Sequence, residues 1–250
     1  MRQAEQKWPN HLVIVRHGES TLNVQRHLAD ERGDDAYGGE RRNPDVELSE
    51  VGCKQALETG KFLASRYSFD VVYASPYRRT QQTIELILRG FTDAPEVILD
   101  ERIREKEFGI LDGVTATGIA TRFPDEAKRK NFVGKYYYRP PGGENYPDVN
   151  LRIHSFLGTL TRDWSQSSVL VVCHAVIVMA FRRLLDRLTE EEVLRIDADS
   201  SQKVRNCSTT LYEFDPHSKP GGKLVLTEFS GVHYSDAPTQ AEPPRTSSTP

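Results

Sequence analysis

The sequence is poor in cysteine and has no long apolar run. Its three cysteines among 250 residues are too few for a disulfide framework. No apolar stretch approaches the roughly 20 residues that a membrane-spanning helix needs. The first ten residues are polar and lack the apolar core of a secretion signal. We therefore expect a cytoplasmic protein that makes no contact with a membrane.

Concentrated charge of one sign is also absent. The formal net charge is −3, and acidic and basic residues are interspersed, so nothing favours a nucleic acid partner. The chain contains no Walker loop, no G-x-G-x-x-G, no H-E-x-x-H, no G-x-S-x-G and no motif of the cysteine phosphatases. Its His, Asp and Glu residues show no metal-ligand spacing, and we expect neither a metal nor a cofactor.

What the chain does contain is histidine at the ends of two predicted strands. The apolar run over residues 12–15 is followed by Arg16, His17 and Gly18, and the run over 168–173 is followed by His174. Strand and helix patterns alternate along the chain, which predicts a mostly parallel sheet covered on both faces. Ligands bind at the carboxyl ends of the strands in such sheets, so we expect both histidines in one site.

The residues beside these histidines suit a phosphate group. Arg16 precedes His17, and further arginines lie in the string SPYRRTQQT at residues 75–83, where the second strand meets its helix. Arginine binds phosphate bidentately and keeps its charge. A neutral imidazole can attack phosphorus and hold it covalently. His17 is thus the candidate nucleophile for phosphoryl transfer.

These strings, with RHGESTLN at residues 16–23, resemble the histidine phosphatase superfamily, which includes phosphoglycerate mutases and fructose-2,6-bisphosphatase domains. The resemblance runs from about Leu12 to Phe214. It implies a phosphoglycerate mutase-like α/β fold, a three-layer α/β/α arrangement with a mostly parallel sheet and a lid insertion at about residues 100–146. The lid stretch shows no strong periodicity that would predict helices. We expect a single domain over 11–234, a polar N-terminal extension over 1–10, and a disordered tail over 235–250 because of its composition.

The resemblance also implies roles for individual residues. His17 would carry the phosphoryl group, and Glu105 would be the proton donor because it lies four residues before Gly109. The phosphate ligands would be Arg16, Arg79 and His174, with Asn23 as a further donor. For Ser20, contact with the substrate and capping of the following segment both stay open.

The lid carries a more specific likeness. Residues 135–146, KYYYRPPGGENY, are similar to the lid of fructose-2,6-bisphosphatase domains, where residues matching Lys135 and Tyr146 contact the sugar bisphosphate. Four other positions depart from that branch. Ala116 stands in place of a tyrosine, Asn131 and Met179 each in place of an arginine, and Ala175 in place of a glutamine. The second phosphate site is therefore depleted, which argues against fructose 2,6-bisphosphate.

We expect a metal-independent phosphatase that acts on a small phosphomonoester. One alternative is a phosphoglycerate mutase, although Lys106 and Phe108 stand where mutases usually carry arginine and tyrosine. The other is a non-catalytic module that binds phosphorylated ligands, which would not need Glu105. We expect the long polar stretch over residues 27–45 to be a surface loop, whose purpose stays open. A homodimer stays open as well.

Overall fold

The computed structural model of the chain describes residues 6–39, 41–218 and 221–235. Most of the predicted tail over 235–250, and the first half of the predicted N-terminal extension, lie outside these ranges. In the ranges described, no helix combines the length and the apolar character that crossing a membrane requires.

The core of the fold is a six-stranded sheet. Its spatial order is β3-β2-β4-β1-β5-β6. The four strands from β3 to β1 run parallel, whereas β5 and β6 are antiparallel additions at one edge. This arrangement confirms the predicted α/β fold with a mostly parallel sheet. The strands are β1 (His11–Arg16), β2 (Val71–Ala74), β3 (Val97–Leu99), β4 (Ser168–Cys173), β5 (Thr209–Asp215) and β6 (Lys223–Gly231).

Helices connect these strands, and several begin at a polar cap. The Ser49 hydroxyl accepts from the Gly52 amide, and Asn145 and Thr189 form capping boxes with the residues three positions later. The described helices are α1 (Thr21–Arg32), α2 (Glu50–Ala64), α3 (Arg78–Leu88), α4 (Ala116–Arg122), α5 (Pro124–Val133), α6 (Tyr146–Asp163), α7 (Ala175–Leu185) and α8 (Glu190–Ala198). Short 3-10 turns cover Asn43–Asp45, Glu101–Ile103, Gly109–Leu111 and Ser200–Gln202.

The sheet is buried on both faces. Side chains alternate along a strand, so Leu12 and Ile14 of β1 join one core cluster with α6 and α7, whereas Val13 and Val15 join the other with α2 and α3. The result is the three-layer α/β/α arrangement. The carboxyl ends of the four parallel strands lie together at one side of this arrangement.

Two segments are more helical than the sequence patterns indicated. The polar stretch over 27–45 was expected to be a loop, but α1 continues to Arg32 and the loop begins at Gly33. The lid contains α4 and α5. The short α4 buries only Gly118 and α5 buries none of its residues, so neither helix has an apolar stripe in the sequence. Their start signals are local instead: Thr115 caps α4, and Pro124 opens α5.

A backbone-to-backbone contact fastens the loop after β1 to α2. A Cβ atom at Gly52 would lie 2.0 Å from the Glu19 carbonyl oxygen, and a Cβ atom at Gly18 would lie 2.6 Å from the Gly52 carbonyl oxygen. Neither backbone can yield without shifting a helix or the end of a central strand. Both positions therefore require glycine, and the contact sets the distance between α2 and the loop that follows His17.

This contact predicts the cost of a single methyl group. Gly52→Ala should lower the free energy of unfolding by about 1–3 kcal/mol, because overpacking forces the backbone apart. The matched control is Gly158→Ala in α6, where an added Cβ meets nothing within 4 Å, and it should stabilise the helix by about 0.5–1 kcal/mol. Urea unfolding of both variants tests the sign; equal effects would contradict the packing argument.

Candidate active site

Three neighbouring strands end at the site. His17 follows β1, Ser75 follows β2 and His174 follows β4, and all three side chains are buried. The His17 amide donates to the Cys173 carbonyl at 2.9 Å, and the Ser75 amide donates to the Val172 carbonyl at 3.0 Å. The centres of the two imidazole rings are 5.2 Å apart. The sheet thus brings together the two histidines that the sequence places 157 residues apart.

The hydrogen bonds of His17 define its tautomer. Nδ1 lies 2.7 Å from the Gly18 carbonyl oxygen, which can only accept, so Nδ1 carries the proton. Nε2 then holds a lone pair, and the Nε–H of Arg79 points at it from 3.3 Å. The ring therefore presents a nucleophilic nitrogen beside a fixed positive charge, the arrangement that attack on a phosphate requires.

Arg79 lies at the centre of the cluster. It is the second residue of α3 and only 4% exposed, and its Nη2 donates to Nδ1 of His174 at 3.3 Å. Its Nη1 reaches the Asn43 carbonyl oxygen and Oδ1 at 2.7 and 3.0 Å. The neighbouring Arg78 is largely exposed and lies 3.8 Å from Glu85. The structure thus places Arg79, and not Arg78, between the two histidines.

A hydroxyl that the sequence patterns did not single out orients His174. Nε2 of His174 lies 2.8 Å from Oγ of the fully buried Ser75. Because Arg79 donates to Nδ1, Nε2 carries the proton and donates to the serine. Ser75 was visible only as part of the string at 75–83, and no local pattern indicated that it faces a histidine from another strand.

Both imidazoles are held in the neutral form. Burial, followed by the charge of Arg79, places the pKa of His17 and that of His174 well below their ordinary value of 6.5. Arg16 adds to the effect on both rings. A neutral His17 is the reactive form, because only the unprotonated Nε2 can attack.

Arg16 supplies a second buried guanidinium. Burial lowers its pKa to about 10, which leaves it charged at neutral pH. Its Nη1 donates to the Val204 carbonyl at 2.7 Å, and its amide donates to Ser208 at 3.2 Å. Its Nε is buried without a hydrogen-bond partner among the residues that the structure describes. A buried donor of this kind suits an anionic ligand.

Ser20 and Asn23 form the cap of α1. The Ser20 hydroxyl accepts from the Asn23 amide, while Asn23 Oδ1 accepts from the amide and the hydroxyl of Ser20 at 3.1 and 3.0 Å. Asn206 also donates to this Oδ1, at 3.1 Å, and to the His17 carbonyl at 3.3 Å. Of the two roles considered for Ser20, the structure shows the capping one. With three donors on Oδ1, Nδ2 is the end of the Asn23 amide that can donate to a ligand.

Glu105 is the carboxyl group near these arginines. It is half-buried, and its Oε1 accepts from the Lys106 amide at 2.8 Å. Burial raises its pKa above the ordinary 4.5, although the Lys106 amide and the charges of Arg79, Arg16 and Arg152 pull in the opposite direction. A raised pKa favours the protonated form that a general acid needs.

Lys135 and Tyr146, the two lid residues predicted to contact the substrate, both lie against Asp197. Lys135 forms an ion pair with Asp197 of α8, and the Tyr146 hydroxyl lies 3.5 Å from the same carboxylate. Lys106, nine-tenths buried, carries its ammonium 5.2 and 5.4 Å from the ring centres of Phe108 and Tyr146. In the sequence, Lys106 is only a departure from the mutases, whereas in the structure it is the buried cation next to Glu105.

Comparisons with known proteins point to one family. A family model described as "Histidine phosphatase superfamily (branch 1)" matches residues 12–220. The 2,3-bisphosphoglycerate-dependent phosphoglycerate mutase of Rhizobium meliloti (strain 1021) is 29% identical over 226 residues, or 89% of this chain and 98% of the mutase.

Two solved structures share the fold. A mycobacterial glucosyl-3-phosphoglycerate phosphatase in complex with VO3 has a TM-score of 0.69 at 23% identity, and the match covers 89% of this chain and 100% of the other. Bacillus stearothermophilus YhfR has a TM-score of 0.69 at 24% identity, with 89% and 97% covered.

The position of Arg79 predicts the titration of both histidines. Arg79→Met should raise the pKa of His17 and that of His174, because a buried positive charge no longer opposes protonation. Arg79→Lys is the matched control, since it keeps the charge and should leave both pKa values low. Titration of the ring nitrogens by ¹⁵N NMR measures this. Unchanged midpoints in the methionine variant would show that Arg79 does not control the rings.

Proposed function

Because the chain belongs to the histidine phosphatase superfamily, branch 1, and so is an enzyme of phosphoryl-transfer chemistry, we propose that it hydrolyses a small phosphomonoester without a metal ion. The observation that carries the proposal is the neutral His17, whose Nε2 lone pair faces Arg79 while Nδ1 is held by Gly18. Glu105, with its raised pKa, is the proton donor.

In the first half-reaction, Nε2 of His17 attacks phosphorus, and the bond from phosphorus to the ester oxygen breaks. The leaving alkoxide takes its proton from Glu105, which becomes a carboxylate. The Nδ1 proton remains on the ring, hydrogen-bonded to Gly18, and stabilises the phosphohistidine. Charge that develops on the equatorial oxygens is met by the phosphate ligands, namely Arg16, Arg79, His174 and the amide of Asn23.

In the second half-reaction, water attacks the phosphorus of the phosphohistidine. The Glu105 carboxylate takes a proton from that water, and the bond from phosphorus to Nε2 breaks. Phosphate leaves, His17 is again neutral and Glu105 is again protonated. The negative charge of the bound phosphate opposes the effect of burial and Arg79 on the pKa of His174 and so favours its protonation during turnover.

Lys106 is the residue that indicates which class of substrate would bind. It is the buried cation beside Glu105, and it contacts the faces of two aromatic rings. An ammonium in this position favours a leaving alcohol that carries an anionic group. A phosphorylated hydroxy acid therefore suits Lys106 better than the phosphate ester of an uncharged alcohol.

A mutase is the second candidate, favoured by the identity of the curated relatives. A mutase must retain a doubly phosphorylated intermediate, which calls for free cations opposite the catalytic phosphate. Arginines around the lid are instead paired with carboxylates: Arg102 with Asp100, Arg104 and Arg152 with Glu144, and Arg139 with Asp148. This neutralisation supports release of the product over its retention.

The test is phosphate release from a panel of monoesters in the presence of a chelator. We expect release that His17→Ala abolishes. The panel pairs 3-phosphoglycerate with glycerol 3-phosphate, which differ in one carboxylate, and adds p-nitrophenyl phosphate, fructose 2,6-bisphosphate and nucleotides. Mutase turnover dependent on 2,3-bisphosphoglycerate that exceeds all hydrolysis would establish the second candidate. Phosphate binding without any turnover would indicate a binding module.

The role of Glu105 predicts a dependence on the leaving group. Glu105→Gln should slow hydrolysis of glycerol 3-phosphate by about 10²–10⁴-fold, because its alkoxide needs a proton, and slow p-nitrophenyl phosphate much less. For glycerol 3-phosphate, kcat/KM of the wild type should fall as pH rises through the raised pKa of Glu105, where the acid is lost, and the variant should lack this limb. Equal losses for both esters would rule out the acid role.

A further inference from the structure

The loop between α1 and α2 reaches into the phosphate site. We propose that Asn43, in the 3-10 turn Asn43–Asp45, is a positioning residue that fixes the guanidinium of Arg79 and connects it to Asp112 of the lid. The inference rests on the proposed function, because it treats Arg79 as a phosphate ligand. It also gives a purpose to the long polar stretch before α2.

Asn43 is one of three residues that accept hydrogen bonds from the guanidinium of Arg79. Nη1 of Arg79 donates to both the carbonyl oxygen and Oδ1 of Asn43, at 2.7 and 3.0 Å. Nε faces His17 and Nη2 faces His174, each at 3.3 Å. The plane of the guanidinium is therefore defined by residues from three separate segments. The shortest of these bonds are those to Asn43.

The amide of Asn43 has one orientation that satisfies its neighbours. Oδ1 accepts from Arg79, while Nδ2 donates to Oδ1 of Asp112 at 2.9 Å. A flipped amide would turn its NH₂ group toward the guanidinium and its oxygen toward the carboxylate, which gives two repulsive contacts. Asn43 is thus a neutral spacer between a cation and an anion.

Neutrality at this position matters for phosphate binding. Burial lowers the pKa of Arg79, and the charges of Glu105, Tyr77 and Asp112 oppose that shift. Asp112 itself contacts the amide of Asn43 and not the guanidinium. A carboxylate at position 43 would instead form a charge-assisted bond to Arg79. An incoming phosphate would then have to displace it, and affinity would fall although every proposed phosphate ligand is still present.

Substitution at position 43 separates positioning from a merely structural role. In Asn43→Asp, inorganic phosphate and vanadate should bind about tenfold or more weakly, because a charged hydrogen bond must be broken first. KM for p-nitrophenyl phosphate should rise by a similar factor, while kcat changes much less. The matched control is Asp45→Ala in the same turn, which removes an exposed ion pair with Arg42 and should leave KM and vanadate affinity unchanged.

A double-mutant cycle tests the connection to the lid. Asn43→Ala and Asp112→Ala should each raise KM several-fold, and the double variant should be no worse than Asn43→Ala alone, because Asp112 acts through Asn43. Melting temperatures report folding. If Asn43→Asp does not fold, the cycle decides the question.

Two failures are distinguishable. Wild-type affinity and KM in Asn43→Asp, or additive effects in the cycle, would overturn the role of Asn43 while leaving the phosphatase intact. The proposed function itself would be overturned if the wild-type protein neither bound vanadate nor released phosphate, and if Arg79→Ala changed neither result.

Discussion

The interaction on which the site depends is the buried contact of one guanidinium with two neutral imidazoles. Arg79 donates to Nε2 of His17 and to Nδ1 of His174, and its charge helps to keep both rings unprotonated. A buried guanidinium that is not in direct contact with a carboxylate is costly to hold, even with Glu105 nearby. The fold offsets that cost because Arg79 donates hydrogen bonds to neutral acceptors, so the positive charge remains available to an anion.

The surrounding structure serves this arrangement. Parallel strands bring His17, His174 and Ser75 to one edge of the sheet. The segment 204–208 holds the residues at the end of β1: Arg16 donates to backbone carbonyls of this segment, and the His17 carbonyl accepts from the segment's backbone and from the Asn206 side chain. From the other side, the loop before α2 presents Asn43 to Arg79. The site is therefore preorganised by backbone groups and neutral amides, which leave its positive charge largely uncompensated.

Charge is distributed differently at the lid. There, arginines form ion pairs with carboxylates, and Lys135 is paired with Asp197. The contrast between the cluster around Arg79, which has no direct ion pair within the part of the chain that the structure describes, and the ion-paired lid supports the proposal of one phosphate site with a smaller anion-binding element at Lys106. The same contrast explains why a lid similar in sequence to that of a sugar bisphosphatase need not serve a second phosphate.

The sequence by itself determined the sheet, most of its helices and the main residues of the site. Apolar runs, caps and strand-end histidines are local signals, and the resemblance to a known family pointed to Arg79 and Glu105. Tertiary structure alone decided the roles of Ser75, Asn43 and Asn206, because each contacts its partner across 99, 36 or 189 residues. Polar loop residues have no periodicity that predicts their partners. The helices of the lid were missed for a related reason, since helices that bury little leave no apolar stripe to detect.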